Sequence, residues 1–337
     1  MRRLQIIISL SLILFFAAAA GAKIVFCSYQ DREYHVYVMN DDGRNIEKII
    51  SHPELVGLSR WSPDGQQIAF MRDTDPSNRV TRNTFIMNAD GTNIRQLTSY
   101  RGNDGGFAFS PDGKKLLVSR GPDGRGEMRG IHVIDIESGD IQQISNIRTG
   151  DVDWSPDGKQ IIFLNRLPFQ WEEHNLWIMD ADGTDARPWI PLNKTMVPYD
   201  PRWSPSGRHI LYTETDLHFE KNGVQIRHAG TYRYIVRKAN GSTPQRLAIP
   251  KDLTPHSVAW MNKGKSVLFS AIRFAHWDDP NHFDQFYRYD IATRKIKQLT
   301  HDPGDKWSAD WVDGAHAVSP AGKQSVRWGE LKKAYLD

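Results

Sequence analysis

Ten aromatic, histidine and acidic residues form three clusters that could bind a ligand. They are Trp171, Glu172 and His174; His218, Phe219 and His228; and His276, Trp277, Asp278 and His282. Indole rings offer flat apolar faces to a sugar or a protein, and carboxylates around them can accept hydrogen bonds. The alternative is that the aromatic side chains hold long loops against the body of the protein while the charges face water.

The histidines of the second and third clusters raise the question of a metal site. Imidazoles together with Asp278 or Glu220 would suit a transition metal, but they lack the tight spacing by which a zinc site is read from sequence. The segment from Asp180 begins like a calcium loop, yet Pro191 stands where its twelfth position requires a bidentate Glu. We therefore predict no metal and no cofactor.

Sequence signatures of catalysis are also missing. The chain has no Gly-x-Ser-x-Gly elbow, no phosphate-binding glycine loop and no group of cysteine ligands. Its single cysteine, Cys27, excludes an intrachain disulfide and is expected to be a free thiol within a strand. The sequence favours a binding protein over an enzyme.

A repeated turn phrase organises the segments that carry these clusters. Trp61-Ser62-Pro63-Asp64-Gly65 recurs from Phe109, Trp154 and Trp203, and in altered form from Trp260 and Trp311, at steps of 48, 45, 49, 57 and 51 residues. Pro, Asp and Gly suit successive positions of a tight turn, and an apolar run follows each phrase. A second turn falls midway between phrases, so each period holds four strands. This pattern predicts an all-β, six-bladed propeller.

The two ends of the repeat predict how the ring closes. Residues 23–50 supply three strands without a preceding turn phrase, and the phrase from Trp307 to Trp311 supplies one. Pairing the terminal strands would complete the sixth blade and remove exposed sheet edges. We assign residues 23–317 to the propeller and 318–337 to a C-terminal tail or short helix. Ser319-Pro320-Ala321-Gly322 looks like another turn phrase, which leaves the closing register open by one strand.

The N-terminus has the three parts of a secretory signal peptide. Met1-Arg2-Arg3 precedes an apolar run, which ends at the small residues Ala20-Gly21-Ala22. A membrane anchor is the alternative, although the run is at the short end for a span. We predict cleavage of residues 1–22 and a periplasmic or secreted protein with no membrane span.

Cleavage leaves a nearly neutral protein. Of the 43 basic and 40 acidic residues of the chain, the segment 1–22 contains two arginines and no acid, which leaves 41 against 40. This balance gives no reason to expect nucleic-acid binding. We expect a monomer whose partner, a protein or an oligosaccharide, binds at the loop clusters.

The repeat resembles the TolB-type, WD-like (PD40-type) propeller repeat of bacterial exported proteins. The resemblance rests on Trp-Ser-Pro-Asp-Gly-Lys-Gln-Ile-Ile-Phe at 154–163 and Leu-Trp-Ile-Met-Asp-Ala-Asp-Gly-Thr at 176–184, and it extends over roughly residues 23–314. It implies a six-bladed binding scaffold in the cell envelope, here expected without the N-terminal α/β domain of TolB. Oligogalacturonate lyases have similar propellers, so a carbohydrate-active enzyme using loop histidines and a metal is the alternative.

Export predicts a mature protein that begins at Lys23. The intact mass of the exported form should correspond to residues 23–337, because the small residues before Lys23 suit signal peptidase. A full-length mass recovered from the membrane fraction would instead identify an anchor.

Overall fold

Six antiparallel sheets of four or five strands surround a central channel, which confirms the predicted propeller. The computed structural model describes residues 21–30, 33–52, 56–75, 81–99, 102–121, 130–166, 173–219, 225–227, 231–273 and 283–314. These residues contain no α-helix, and no helix among them is long and apolar enough to cross a membrane.

The first three blades follow one pattern, from the channel outward. Blade 1 contains β25 (Asp305–Val312), β1 (Lys23–Gln30), β2 (Glu33–Asn40) and β3 (Glu47–His52). Blade 2 contains β4 (Val56–Trp61), β5 (Gln67–Asp73), β6 (Arg82–Asn88) and β7 (Arg95–Gln96). Blade 3 contains β8 (Asp104–Phe109), β9 (Lys115–Arg120), β10 (Gly130–Asp135) and β11 (Ile141–Ser145).

The other three blades repeat this four-stranded pattern, and blade 5 has one additional strand. Blade 4 contains β12 (Val152–Trp154), β13 (Gln160–Asn165), β14 (Asn175–Asp180) and β15 (Arg187–Pro188). Blade 5 contains β16 (Met196–Trp203), β17 (His209–Phe219), β19 (Arg233–Lys238) and β20 (Gln245–Arg246), and β18 (Gln225–Arg227) pairs with β17. Blade 6 contains β21 (Leu253–Met261), β22 (Ser266–Arg273), β23 (Gln285–Asp290) and β24 (Ile296–Gln298).

The turn phrase forms the tight hairpin that the sequence predicts. Ser62 Oγ donates to Asp64 Oδ1 (2.6 Å) and accepts the backbone N–H of Gln67 (2.9 Å). The same bonds recur in blades 3 and 4. The phrase glycines of blades 2 to 5 have φ between 68° and 72°, a region that glycine enters without a Cβ clash. Each of these hairpins joins the inner strand of a blade to the second strand, so they lie on one face of the ring, which we call the hairpin face.

The hydrophobic core consists of six clusters, one between each pair of neighbouring blades. Strand β1 shows why: Ile24 and Phe26 belong to the cluster shared with blade 6, whereas Val25 and Cys27 belong to the cluster shared with blade 2. Cys27 is fully buried and free, as predicted, and burial raises the pKa of its thiol to about 12. Each sheet is thus covered on both faces by its neighbours.

The ring closes by pairing β1 with β25, as predicted. Lys23 lies opposite Val312 and Tyr29 lies opposite Asp305 in antiparallel register. This pairing settles which strand closes blade 1, while residues 315–337, including the phrase from Ser319 and the predicted tail, lie outside the described residues.

One predicted connection differs from the structure. The sequence predicts four long connections between the second and third strands of a blade, at residues 73–83, 166–175, 215–232 and 273–284. In the third of these, β17 continues to Phe219 and forms a further hairpin with β18. Thr213, Thr215 and Leu217 are buried while Glu214 and Asp216 between them are only half-buried, which is the alternation of a strand. The run of four polar residues from Thr213 to Asp216 concealed this strand in the sequence. The connection between β9 and β10, residues 121–129, is also long and was not singled out from the sequence.

Removing β25 should destabilise the whole propeller. A chain that ends before Trp307 loses most of the closing strand and exposes β1 and the inner faces of its neighbours, so we expect a loss of several kcal/mol out of a typical total of about 5–15 kcal/mol and a tendency to aggregate. A chain that ends at Gly314 keeps β25 and is the matched control. Equal urea midpoints for both truncated chains and the full chain would contradict closure by β25.

Candidate functional site in the central channel

Most residues of the predicted loop clusters lie outside the described residues. Trp171, Glu172, His228, His276, Trp277, Asp278 and His282 are outside the described residues, and His218 and Phe219 are described only through the backbone at the end of β17. His174 is 4% exposed and precedes β14, where its side chain lies away from the two channel cavities. A binding surface built from these loops stays a prediction.

The described residues instead form two cavities along the channel. One, of about 280 Å³, opens on the face of the long loops and is lined from every blade; we call it the loop-face cavity. Its lining includes Leu58, Gly106, Asp151, Tyr199, His256 and Ser308. The other, of about 380 Å³, opens among the hairpins and is the hairpin-face cavity. Its lining includes Trp61, Phe109, Asp153, Trp203, Trp260 and Trp311.

Arg60 and Arg202 lie between the two cavities, because both side chains line both of them. Arg202 pairs with Asp200, and Arg60 Nη2 lies 4.0 Å from the same carboxylate. Arg60 Nη1 also donates to the carbonyl oxygen of Ser59 (3.2 Å). The middle of the channel is therefore occupied by two guanidinium groups around a shared carboxylate.

A regular pattern places these charges. The residue before the aromatic of each inner strand is, from blade 1 to blade 6, Asp310, Arg60, Ala108, Asp153, Arg202 and Ala259. The order Asp, Arg, Ala thus occurs twice around the ring, so opposite blades carry the same residue type. The blades are equivalent in backbone, and the charges lie at one level of the channel.

Three carboxylates of the channel, enclosed by protein but still partly exposed, connect neighbouring blades. The backbone N–H of Trp61 donates to Asp310 Oδ2 (2.9 Å), that of Trp203 to Asp153 Oδ2 (2.7 Å) and that of Val258 to Asp200 Oδ2 (2.9 Å). An unpaired N–H at this depth would cost free energy. Each carboxylate accepts a hydrogen bond from a backbone amide that has no partner on a neighbouring strand. The three carboxylates therefore have a structural role.

Enclosure by protein raises the pKa of each of these carboxyl groups. Burial brings the pKa of Asp153 to about 7, although the N–H of Trp203 and the charge of Arg60 act in the opposite direction. Burial also raises the pKa of Asp200 to about 7 against the effect of Arg60, and burial raises that of Asp310. The net charge of the channel therefore changes near neutral pH.

A histidine and an aspartate form a second polar pair at the loop-face cavity. His256 Nδ1 lies 2.5 Å from Asp284 Oδ2, and the His256 side chain lines the cavity while Asp284 is 7% exposed. Burial alone would lower the pKa of His256, but the hydrogen bond and charge of Asp284 outweigh it and the pKa is raised. The imidazole is consequently cationic over a wider pH range than an isolated histidine.

A third ion pair lies toward the rim of the same cavity. Arg166 Nη2 is 3.1 Å from Asp151 Oδ2, and both side chains are partly exposed. Arg166 follows β13 at the stem of a long loop, and Tyr232, at the stem of the next, also lines the cavity. The described residues hold no group of three histidine, cysteine or acidic side chains that could bind a metal ion. The arrangement is suited to binding polar ligands.

Comparison with known proteins identifies the family. The model of the TolB β-propeller domain matches residues 16–245, which is more than half of the chain. The chain belongs to the TolB β-propeller family. TolB of Acinetobacter baumannii superposes with a TM-score of 0.66 at 17% identity, covering 87% of this chain and 66% of that one. The chain therefore spans about two thirds of that TolB structure.

Proteins other than TolB are also similar to this chain, in structure or in sequence. A nidogen/laminin complex matches with a TM-score of 0.62 at 10% identity, over 87% of this chain and 98% of that one. Oligogalacturonate lyase from Vibrio parahaemolyticus matches with a TM-score of 0.52 at 12% identity, over 81% and 78%. Dipeptidyl-peptidase 5 of Arthroderma otae is 24% identical over 136 residues, which cover 36% of this chain and only 18% of that protein. At these identities, the structures show the fold alone.

The channel residues of this TolB-type propeller were not singled out from the sequence. The signal was present in the residues before the blade aromatics, since a charged residue, Arg60, Asp153, Arg202 or Asp310, directly precedes the aromatic in four of the six blades. Aligning the repeats by their aromatic would have shown that these four positions are equivalent and meet at the channel.

Replacing Asp153 by Asn should change how stability depends on pH. A raised pKa in the folded state means that the contribution of Asp153 is full below its unfolded pKa and is lost as pH rises toward 7. Asn keeps an acceptor for Trp203 and cannot ionise. The free energy of unfolding of Asp153→Asn, relative to the parent, should therefore rise between pH 5 and pH 8 by at least about 1.4 kcal/mol, the equivalent of one pKa unit.

Asp157→Asn provides the control for that measurement. Asp157 lies in the hairpin of the same blade, where the hydroxyl of Ser155 lowers its pKa, so it titrates below pH 5. The free energy of unfolding of Asp157→Asn should differ from that of the parent by the same amount at every pH between 5 and 8. Urea titrations at four pH values measure the free energy of unfolding of both variants and the parent. If the two variants show the same pH dependence relative to the parent, Asp153 ionises in the folded state at no cost in stability.

Proposed function

We propose that this TolB-type propeller is an exported binding scaffold of the cell envelope, and that its loop-face cavity receives part of a protein partner. The observation that carries the proposal is the lining of this cavity by all six blades, at the face where the long connections lie. Loops longer than a fold requires are more often functional than idle. The periplasmic or secreted location rests on the N-terminal sequence.

The size of the cavity indicates how much of a partner enters it. Small-molecule sites usually measure about 300–1,000 Å³, so a cavity of about 280 Å³ suits one side chain or the end of a chain. The remaining contacts of a protein partner would fall on the surrounding loops. There the aromatic residues Trp171 and Trp277 are the candidate anchors, since tryptophan dominates the energy of many interfaces.

The lyase alternative receives no support from the described residues. It requires loop histidines and a metal, and the side chains of the histidines concerned, His218, His228, His276 and His282, lie outside the described residues. The similarity to oligogalacturonate lyase is at 12% identity and concerns the fold. A binding role needs only the cavity and its rim.

Capture of a partner from envelope extract tests this function with one cavity variant. Tyr232 lines the cavity at the stem of a loop, so Tyr232→Ala should weaken binding of a captured partner by about tenfold or more, or 1.4 kcal/mol per factor of ten, without lowering the melting temperature. Once the partner is identified by mass spectrometry, its affinity is measured with purified proteins.

Tyr29→Ala is the matched control, because Tyr29 is 39% exposed on β1 and lies outside the cavity lining. It should bind the partner like the parent. If both variants retain the partner equally, the cavity is not its binding site; if neither they nor the parent capture anything, the scaffold role loses its support.

A further inference from the structure

Four cationic side chains line the loop-face cavity, and three of them lie on consecutive blades. Arg166 belongs to blade 4, Arg202 to blade 5 and His256 to blade 6, while Arg60 reaches in from blade 2. Blades 1 and 3 line the cavity only with uncharged residues, Trp307 and Ser308 on blade 1 and Gly106 and Phe107 on blade 3. The cavity is therefore polarised, with cations concentrated on the side of blades 4 to 6.

The guanidinium groups have more donors than their partners can use. An arginine carries five N–H donors. Arg166 donates to Asp151 Oδ2 (3.1 Å), and Arg202 pairs with Asp200 and approaches the carbonyl oxygen of Val152 (3.5 Å). Within the described residues these are the hydrogen-bond partners of both side chains. A ligand that brings further acceptors would use the remaining donors, and carboxylates do so in bidentate geometry.

The carboxylates around these cations decide whether an anion is attracted. Asp151 and Asp200 line the same cavity, Asp284 holds His256, and Asp153 and Asp310 lie on the other side of Arg60 and Arg202. With every group ionised, these five carboxylates face the four cations, and Asp305 adds a further carboxylate near His256. Protonation of these carboxyl groups makes the cavity more positive, and the pKa values of about 7 that burial gives Asp153 and Asp200 place this change near neutral pH.

Polypeptide chains present carboxylates in a form that fits the cavity. Its volume of about 280 Å³ admits one side chain or a chain end, and Arg60 and Arg202 close it toward the hairpin face. Arginine clusters that bind acidic motifs and sites that capture a terminal carboxylate are recurring modes of peptide recognition. A polysaccharide bound by the middle of its chain would need a groove open at both ends, whereas this cavity is closed by Arg60 and Arg202.

We propose that the loop-face cavity binds an acidic segment of a polypeptide, that Arg166, Arg202 and His256 are its cationic contacts, and that binding strengthens as pH falls from 8 to 6. This proposal rests on the proposed function, because it names the chemistry of the partner at the same cavity.

The pH dependence follows from the groups that face His256 and Asp200. His256, on β21, faces Asp284 before β23 and Asp305 on β25. Asp200, on β16, faces Arg202 on the same strand, Arg60 on β4, Asp151 before β12 and Asp310 on β25. Lowering the pH adds a proton to His256 or to Asp200, and either event makes the cavity more positive. If binding takes up one proton, affinity changes by about tenfold per pH unit at most.

Fluorescence anisotropy with defined peptides tests the proposal. The probe is a fluorescein-labelled hexapeptide of three Gly-Glu repeats with a free C-terminus, and its neutral counterpart contains three Gly-Gln repeats and a C-terminal amide. The acidic peptide should bind at least about tenfold more tightly than the neutral one at pH 6, equivalent to 1.4 kcal/mol. Its affinity should fall by about tenfold or more between pH 6 and pH 8, and His256→Gln should reduce this dependence.

Two arginine variants of blade 4 form a matched pair for the same assay. Arg166→Gln should weaken the acidic peptide by about tenfold, while Arg187→Gln should not, because Arg187 pairs with the exposed Asp185 on the outer strand β15. Both variants remove one positive charge from one blade. Thermal melting checks that each variant is folded.

Several outcomes would overturn the proposal. Equal affinity for the acidic and the neutral peptide would exclude carboxylate recognition, and equal effects of the two arginine variants would indicate a general surface attraction. Displacement of the peptide by trigalacturonate at lower concentration than by unlabelled peptide would assign the cavity to an acidic sugar. The proposed function is separable: it stands if Tyr232→Ala still abolishes partner capture while the acidic peptide does not bind, and it fails if Tyr232→Ala and Tyr29→Ala capture equally.

Discussion

Each blade must be covered on both faces, and the rest of the structure depends on that requirement. In β1, side chains that point to one face pack on blade 6 and those that point to the other pack on blade 2, and Ile24, Val25, Phe26 and Cys27 are all at most 1% exposed. An open row of such blades would leave an apolar face at each end. Closure into a ring removes both faces at once. The pairing of β1 with β25 also makes the two ends of the repeat one cooperative sheet.

Ring closure has a cost at the centre, where the inner edges of six sheets converge. The inner strands leave amides that have no strand partner, and several bulge, with left-handed φ at Leu58 (46°), Asp200 (50°) and Ser308 (55°). Bulges at sheet edges turn side chains and backbone groups away from the ladder. Carboxylates reach across to the next blade and accept these amides. The buried charges of the channel are thus a consequence of closing the ring, and their raised pKa values follow from the same enclosure.

The sequence predicted the features that depend on local chemistry. The Ser-Pro-Asp-Gly phrases of blades 2 to 4 fix their hairpins through their own side chains. The spacing of this phrase and its altered forms revealed the blade number and the closing strands. The channel site depends on residues far apart in sequence, such as Arg60 and Asp200, whose meeting requires the ring to exist. In a single repeat, Asp153 before Trp154 looks like an ordinary edge residue. The strand extension to Phe219 was not predicted, because Thr213 to Asp216 are four consecutive polar residues and the segment was interpreted as a long connection.

The ring is nearly symmetric in backbone and strongly asymmetric in side chains, and this difference bears on recognition. Blades 4 to 6 contribute Arg166, Arg202 and His256 to the loop-face cavity, whereas blades 1 to 3 contribute apolar groups such as Trp307 and Phe107 beside Arg60. A ligand with a carboxylate and an apolar portion would therefore enter in one orientation. The carboxylates that connect the blades also set the charge of the cavity. Ligand binding and the stability of the ring therefore both depend on the protonation of the same carboxyl groups. A bound anion that raises the pKa of Asp200 would, by reciprocity, bind most tightly where Asp200 is neutral. The proposed binding therefore depends on the same charged groups that ring closure encloses in the channel.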